Sequence, residues 1–400
     1  MRLLYVVQRY GEEVAGGAEQ HARAFAERLV ERDHRVTVLT TCAESYVDWA
    51  NAYRRGWSNL NGVAVFRTPV TKARNPHLFS AFNSRISNTS GVHPLSVQRE
   101  WMRMQGPFAP ALVPWLRHHA SSYDAVVFIT YLYWTTWAGL RVCGGAVPTL
   151  LHPTAHDEPP MRLSIFQEVM RAPDAFVFLT PEEADLVRTR FPRAPSGDVV
   201  GIGVEMDRPG DADAFRRTYG LGDTPYLLYV GRVDPAKGAA ELLDYFVAYK
   251  ERNPGDLKLV LLGELLVPDP QRPDIVTTGF VDEATRNGAL AGARALVHPS
   301  YFESFAMVLT ETFAQRRPAL VQQRCAVLDG HAHRSGGALP YSGFAEFEAA
   351  VDRMRHAPEL ADAMGEAGRR YVEREYDWGV VLSRYEETLA RVAGAVRTPV

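Results

Sequence analysis

The sequence contains little cysteine, little lysine and no long hydrophobic segment. Its three cysteines are far apart and form neither a CxxC pair nor a zinc-type cluster with histidine, which argues against a disulfide framework and a structural zinc site. We therefore expect reduced cysteines and a cytoplasmic protein. No run approaches the roughly 20 apolar residues of a membrane span. The N-terminal MRLLYVVQRY has too short an apolar part for a signal peptide, so we expect none.

The charge of the chain is nearly balanced, with a formal net charge of −3. This balance gives no reason to expect a nucleic acid as partner, although contact with a membrane surface stays open. An apolar fraction of 46% with 23% charged residues is ordinary for a globular protein. Only four of the 44 basic residues are lysines, so a lysine in a loop is unusual in this chain.

A regular alternation of apolar strands and amphipathic helices predicts an α/β fold. The chain opens with the apolar run LLYVVQ, a helical pattern from Ala18 and a second run, RVTVLTT. Such a βαβ unit predicts a doubly wound parallel sheet, which binds ligands outside the carboxyl ends of its strands. The second half repeats the alternation with the strand-like runs PYLLYVG, LKLVLLG, IVTTG, ARALVHPS and PALVQQ.

The chain is therefore predicted to form two Rossmann-like domains, residues 1–205 and 206–379, with a cleft between them as the expected site. The stretch EMDRPGDADAFRRTYGLGDTP between them is dense in glycine, proline and aspartate and is interpreted as a linker. Its acidic triplet, residues 211–213, is interpreted as linker acidity rather than as a metal motif. Residues from about 380 to 400 are predicted to be helical.

The segment GGAEQH lies between the first strand and the first helix. Gly16 and Gly17 would let backbone N–H groups approach a phosphate at the helix N-terminus. The segment lacks the GxGxxG pattern, so the dinucleotide fingerprint is absent. A tight turn in which the glycines serve only the geometry remains the alternative.

The segment VGRVDPAKG follows the first strand of the second domain. Arg232 and Lys237 lie five residues apart in it, and a diphosphate needs two or more converging cations. The alternative is an ordinary solvated loop, which the rarity of lysine makes less attractive. We favour a diphosphate site.

The segment ESFAMVLTE places Glu303 and Glu311 after a strand, near the start of a helix. Two such carboxylates can accept hydrogen bonds from two sets of sugar hydroxyls. A helix-terminus carboxylate and a solvent-facing helix residue are the alternatives. The apolar surroundings of Glu311 favour a partnered, buried carboxylate.

The segment LLHPTAHDEPP concentrates polar residues after a buried strand. His152 is interpreted as structural, whereas for His156 a base, a donor to a sugar and a loop histidine all stay open. The aromatic run Tyr131, Tyr133, Trp134 and Trp137 is interpreted as core or interdomain packing rather than as a sugar platform. The basic positions between the second strand and the following helices are interpreted as a solvated face: Arg54, Arg55, Arg67, Lys72 and Arg74.

These segments, in their order and spacing, resemble the family-4 retaining glycosyltransferases of GT-B fold (glycosyl transferases group 1) along most of the chain. The resemblance rests on the following residues: Gly16-Gly17-Ala18-Glu19, Gly231-Arg232, Lys237-Gly238, Gly279-Phe280-Val281, Pro299-Ser300, Glu303-Ser304-Phe305 and Glu311. It implies a GT-B fold, with two Rossmann-like domains facing across a cleft and the last helix crossing back onto the first domain. It also implies a retaining transfer of a hexose-type sugar from a UDP- or GDP-sugar to a hydroxyl of a small-molecule, glycan or lipid-linked acceptor, with no metal and no cofactor.

The resemblance implies a role for each matched residue. Arg232 and Lys237 would bind the donor diphosphate, and Glu303 and His156 would meet the transferred sugar. Further donor contacts are implied at Gly16, Gly17, Val281, Ser304, Phe305, Ala306, Met307, Val308 and Glu311, the last at the ribose. The chain departs from the family at Ala306, where glycine is common. The rival functions are a nucleotide-sugar epimerase or hydrolase of the same fold and a non-catalytic binding protein.

Overall fold

The computed structural model describes residues 1–14, 16–88 and 93–396. Within it the chain separates into two compact units, Met1–Val200 with the segment from Leu382, and Gly201–Val381. Both units contain a parallel sheet with helices against it, so the predicted α/β class with two doubly wound units is confirmed.

The first unit is built on an eight-stranded sheet of order β3-β4-β2-β1-β5-β6-β7-β8. All neighbouring strands are parallel except β3 and β4. The central strands are apolar along their whole length because helices cover both faces of such a sheet. The strands are β1 (Arg2–Val6), β2 (Arg35–Thr41), β3 (Gly56–Leu60), β4 (Val63–Thr68), β5 (Ala125–Ile129), β6 (Thr149–His152), β7 (Ala175–Phe178) and β8 (Gly197–Val199).

The helices of this unit alternate with its strands along the chain, except that β2, β3 and β4 follow one another and are followed by three successive helices. Their apolar faces join the strand side chains in one core that includes Leu4, Phe128 and Phe176. The helices are α1 (Gly17–Glu31), α2 (Pro76–Asn88), α3 (Leu95–Gln105), α4 (Leu112–His119), α5 (Trp134–Cys143), α6 (Ile165–Arg171) and α7 (Pro181–Arg190).

The antiparallel edge strand β3 was not among the predicted strands. It joins β4 through Asn61 and Gly62, whose φ angles are +49° and +84°. Two consecutive positive φ angles are the signature of a type I′ hairpin turn, for which Asn-Gly is the preferred sequence. The signal was therefore present in the sequence.

The second unit contains a six-stranded, all-parallel sheet of order β11-β10-β9-β12-β13-β14. The strands are β9 (Tyr226–Val230), β10 (Lys258–Leu262), β11 (Ile275–Gly279), β12 (Ala295–His298), β13 (Ala319–Gln322) and β14 (Ala338–Tyr341). The helices are α8 (Ala212–Thr218), α9 (Ala239–Arg252), α10 (Glu283–Gly292), α11 (Met307–Ala314), α12 (Ala326–Ser335), α13 (Phe344–His356) and α14 (Pro358–Tyr376).

The segment predicted to be a linker contains α8 and belongs to the second unit, so a plain linker is wrong for this part of the chain. Asp211 caps α8 by accepting a hydrogen bond from the backbone N–H of Ala214 at 2.8 Å. The preceding Gly210 lies against α10, where an added Cβ would come within 1.9 Å of the Asn287 carbonyl oxygen. Asp211 of the acidic triplet therefore serves as a helix cap.

The last helix, α15 (Trp378–Val396), begins in the second unit and continues in the first from Leu382. In the first unit its Tyr385 hydroxyl lies 2.7 Å from the hydroxyl of Tyr5 on β1. The predicted helix of about 380–400 extends beyond the described residues, which end at 396. Within the described ranges, no helix combines the length and the apolar character that crossing a bilayer requires.

Candidate active site

Two loops at the carboxyl edge of the second sheet bring a lysine and a glutamate together. One loop follows β9 and contains Arg232 and Lys237, and the other follows β12 and contains Glu303. Because β9 and β12 are neighbouring parallel strands, their carboxyl ends meet at one edge. There the Lys237 ammonium donates a hydrogen bond to Glu303 Oε1 at 2.8 Å. This ion pair is the centre of the candidate site.

Glycine lets the two loops approach backbone to backbone. Gly238, which precedes α9, has a φ of +74°, and a Cβ there would lie 2.2 Å from the carbonyl oxygen of Pro299. Gly238 therefore has no room for a side chain, and its conformation favours glycine. The loop is also anchored to β9, because the Tyr229 hydroxyl donates a hydrogen bond to the carbonyl oxygen of Arg232 at 2.5 Å. The neighbouring Lys237 is held in place as a consequence.

Glu303 is an anion under all ordinary conditions. Burial acts to raise its pKa, but the Lys237 ammonium, His298 and hydrogen bonds outweigh burial and lower the pKa to about 2. His298 Nε2 lies 3.6 Å from Glu303 Oε1. Burial lowers the pKa of His298 itself, and the Glu303 carboxylate opposes that shift. Glu303 can accept hydrogen bonds from hydroxyls but has no proton to give.

Arg232 lies in the same loop as Lys237, between β9 and α9. Its side chain is 42% exposed, and one guanidinium nitrogen lies 3.7 Å from Asp234 Oδ2. Asp234 also accepts a hydrogen bond from the backbone N–H of Ala236 at 2.9 Å. The guanidinium thus lies partly in solvent at the carboxyl edge, where an anionic ligand can reach it.

Glu311 lies in the second turn of α11. The alternative that it is a solvent-facing helix residue is wrong. Its Oε1 lies 3.1 Å from a guanidinium nitrogen of Arg286 on α10, and its side chain is only 18% exposed. Burial raises the pKa of Glu311, Arg286 opposes that shift, and Glu283 adds to it. No motif in the sequence pointed to Arg286 as part of this site.

The predicted backbone contacts surround the start of α11. Ser304 and Phe305 form the turn before it, and Met307 and Val308 open the helix, where N–H groups lack partners within the helix. Phe305 is buried, and its carbonyl oxygen lies 2.9 Å from His331 Nε2. Val281 lies at the same edge of the sheet, between β11 and α10.

Ala306 caps α11 in the left-handed conformation, with a φ of +68°. This conformation costs a non-glycine residue roughly 1–2 kcal/mol. The structure thus gives a conformational reason why a glycine would suit this position. Here the alanine itself adopts the left-handed conformation.

In the first unit, Gly16 precedes α1 and lies against a buried ion pair. A Cβ on Gly16 would come within 2.1 Å of Glu19 Oε2, whereas a Cβ on Gly17 would meet no atom of the described residues within 4 Å. Glu19 accepts a hydrogen bond from Arg9 Nε at 2.7 Å, and both side chains are buried. The lack of room for a side chain is enough to explain a glycine at position 16. Anion binding at the start of α1 therefore stays a prediction.

The two histidines after β6 have different environments. His152 is fully buried between His21, 2.8 Å away, and the Tyr385 hydroxyl, 3.2 Å away, which confirms its structural interpretation. His156 is partly exposed, with Nδ1 lying 3.9 Å from Glu158 Oε1. The described residues contain no cluster of three or more His, Cys, Asp or Glu side chains that could hold a metal.

The structure confirms the interpretation of the aromatic run but not that of two of the basic residues. Tyr131 and Trp134 are buried in the core of the first unit, as predicted for the aromatic run. Arg67 does not belong to a solvated face, because it is 7% exposed and donates to the carbonyl oxygen of Tyr10 at 2.8 Å. Arg74 likewise donates to the carbonyl oxygen of Val47 at 2.9 Å. These two arginines tie loops together.

Glu183 holds the loop of His156 and was not recognised in the sequence. Its carboxylate is 1% exposed and accepts hydrogen bonds of 2.6 Å from the backbone N–H groups of Ala155 and Leu179. Burial raises the pKa of Glu183 to about 8, and the two backbone hydrogen bonds limit the rise. It lies in the first turn of α7, far in sequence from the loop that it holds.

We predict that Glu183→Ala lowers the free energy of unfolding by about 2–4 kcal/mol, because two buried N–H groups lose their acceptor. The pKa of Glu183 is higher in the folded than in the unfolded chain, so its contribution to stability falls as the pH rises from about 4.5 to about 8. Glu183→Gln should remove this pH dependence. Urea unfolding followed by tryptophan fluorescence reports on the first unit, which contains every tryptophan except Trp378. Equal pH profiles for wild type and Glu183→Gln would refute the prediction.

The chain matches known proteins in sequence. Residues 211–371 match the family model described as glycosyl transferases group 1. The chain is 29% identical over 266 residues to a D-inositol 3-phosphate glycosyltransferase of Kribbella flavida, a match that covers 60% of the chain and 61% of that relative. The chain thus spans less than two thirds of the length of this curated relative.

The fold is similar to two solved structures along nearly the whole chain. Sucrose-phosphate synthase from Thermosynechococcus elongatus superposes with a TM-score of 0.72 at 17% identity, covering 98% of this chain and 99% of the other. Anabaena HepE in complex with UDP and glucose superposes with a TM-score of 0.70 at 14% identity, covering 98% and 100%. The predicted GT-B fold class is confirmed.

Proposed function

We propose that this chain, whose residues 211–371 match the model of glycosyl transferases group 1, transfers a hexose-type sugar from a nucleoside diphosphate sugar to an acceptor hydroxyl. The observation that carries the proposal is the Lys237–Glu303 pair of 2.8 Å at the carboxyl edge of the second sheet. It presents a cation for a phosphate and an anion for sugar hydroxyls side by side. A nucleoside diphosphate sugar has these two groups next to each other.

The diphosphate is the leaving group of such a transfer, and negative charge develops on it. We propose that Arg232, Lys237 and the start of α11 stabilise this charge, which is electrostatic catalysis by preorganised donors. The backbone of Ser304, Phe305, Ala306, Met307 and Val308 would contact the sugar and the phosphates. No metal would be required. Release of the diphosphate would then depend on side chains and backbone alone.

The remaining roles follow from the resemblance to family-4 retaining enzymes. Glu311 would accept hydrogen bonds from the ribose, and the backbone near Val281 would contact the base. Gly16 and Gly17 would approach the diphosphate, and His156 would meet the transferred sugar. The acceptor hydroxyl would attack from the side of the leaving group, with the diphosphate taking its proton, so that the anomeric configuration is retained.

The relatives suggest which donor and acceptor to test first. HepE is solved with UDP and glucose, and the curated relative is named for D-inositol 3-phosphate. We therefore propose UDP-glucose as the first donor to test, with GDP-sugars as the second class, and a small-molecule, glycan or lipid-linked acceptor. The three buried, free cysteines suit the reducing cytoplasm that we propose as its location.

Nucleotide release from a panel of UDP- and GDP-sugars, measured with and without acceptors, separates the proposal from its rivals. We expect release that depends on an acceptor and is unchanged by EDTA. Release independent of any acceptor would indicate a hydrolase, and a changed sugar on an intact nucleotide would indicate an epimerase. Nucleotide-sugar binding without turnover across the acceptor panel would favour a non-catalytic binding protein.

A further inference from the structure

His298 is a buried histidine whose two ring nitrogens have no hydrogen-bond partner among the described residues. It is the last residue of β12 and is 8% exposed, and buried polar groups are nearly always satisfied. Its Nε2 lies 3.6 Å from Glu303 Oε1, the oxygen that accepts a hydrogen bond from Lys237 at 2.8 Å. His298 is therefore close enough to become a second partner of this carboxylate.

The groups that face His298 leave little positive charge on its ring in the free protein. Burial lowers its pKa, Glu303 opposes that shift, and Lys237 adds to it. The net shift is downward from 6.5, so at pH 7.5 most of the imidazole is uncharged. The pKa of His331 on α12, the other histidine nearby, is lowered by burial to about 3. Two further titratable side chains beside Glu303 are uncharged because burial raises their pKa values: Tyr229 and Cys325.

Binding of a nucleoside diphosphate sugar would shift this balance in one direction. Under the proposed function, on which this inference rests, Lys237 binds the diphosphate. Its ammonium then divides its charge between Glu303 and the phosphates, so the buried carboxylate loses part of its counter-charge. The phosphates also bring negative charge close to the ring, and nearby negative charge favours the protonated form of a histidine.

We infer that His298 becomes the second counter-ion of Glu303 when the donor binds, and that its ring takes up a proton from the solvent as it does so. A small rotation of either side chain brings Nε2 from 3.6 Å to hydrogen-bond distance of Glu303 Oε1. The carboxylate is then held in place while Lys237 turns to the diphosphate, and its other oxygen stays available for a sugar hydroxyl. His298 is thus a positioning residue that acts through Glu303.

Calorimetric titration of UDP-glucose into the full chain tests the inference, because titrations in two buffers of different ionisation enthalpy give the number of protons taken up. The phosphates of UDP-glucose have no hydrogen that titrates near neutral pH. At pH 7.5 we expect wild type to take up about half a proton or more, and its affinity to fall about five-fold between pH 6.5 and pH 8.5, as proton linkage requires. His298→Gln should take up no proton and lose this pH dependence.

The control is His333→Gln. His333 is an exposed histidine on α12, with Nε2 lying 3.4 Å from Asp329 Oδ2, and its loss should leave the proton uptake unchanged. If His298→Gln does not fold, His156→Gln keeps the test. Uptake that persists in His156→Gln supports the inference, and uptake that disappears there places the proton on His156 and overturns it.

The other outcomes separate this inference from the proposed function. Binding of UDP-glucose by wild type without proton uptake overturns the inference and leaves the proposed function standing, as does uptake that persists in a folded His298→Gln. Failure of wild type to bind UDP-glucose, or GDP-glucose in its place, overturns both.

Discussion

Lys237→Ala is expected to lower the turnover of the sugar donor by about 10²–10³-fold. Removing one preorganised donor from a developing oxyanion typically has an effect of this size, and Lys237 is the cation that lies directly beside Glu303. The same change leaves Glu303 buried without its main counter-charge, so its pKa rises from about 2. Both effects act on the same step, because the leaving diphosphate and the sugar hydroxyls bind side by side.

The measurement is donor consumption at saturating donor for wild type, Lys237→Ala and Lys258→Ala. Lys258 is a matched control, because it lies in the same unit at the first residue of β10, away from the carboxyl edge. Lys237→Arg keeps the charge but changes its shape and should recover part of the activity. Turnover of Lys237→Ala within about threefold of wild type, far from the loss expected for a missing oxyanion donor, would show that this lysine does not bind the leaving group.

Gly238→Ala is expected to separate the two loops of the site. Its Cβ would lie 2.2 Å from the carbonyl oxygen of Pro299, and its φ of +74° disfavours any side chain. The backbone conformation alone costs about 1–2 kcal/mol, and relief of the clash moves Lys237 away from Glu303. We expect a loss of stability of about 2–4 kcal/mol, in the range of strained core changes, together with at least ten-fold weaker donor binding.

Gly220→Ala separates the effect of the backbone conformation from the effect of the clash with Pro299. Gly220 has a φ of +60°, and a Cβ added there would meet no atom of the described residues within 4 Å. This variant therefore carries the backbone cost without the clash. Urea unfolding and nucleotide titration of both variants give the comparison. Donor binding that weakens equally in both variants would contradict the role of the close loop approach.

The sequence predicted the parts of the fold that depend on local pattern. Apolar runs such as those of β1 and β9 identified the central strands, since a parallel sheet covered on both faces is apolar throughout. The loops that carry Lys237 and Glu303 were predicted from their position after such strands. The edge strand β3 was missed although Asn61-Gly62 indicates its hairpin, because most of its residues are exposed and form no apolar run.

The missed site residues depend on contacts between distant segments. Glu183 and Arg286 look like ordinary charged positions on helices, and only the tertiary fold brings them to Ala155 and to Glu311. Asp211 resembles part of an acidic linker because its role as a cap requires knowledge of the helix after it. No property of a single segment indicates such pairings.

The most direct test of the central claim is calorimetric titration of a UDP- or GDP-sugar into wild type, Lys237→Ala and Lys258→Ala. The predicted result is binding of at least one nucleotide sugar to wild type at one site per chain, weakened ten-fold or more by Lys237→Ala and unchanged by Lys258→Ala. Binding to wild type and Lys237→Ala with equal affinity would contradict the assignment of the donor site. The absence of binding to wild type by every UDP- and GDP-sugar tested would contradict the proposed function itself.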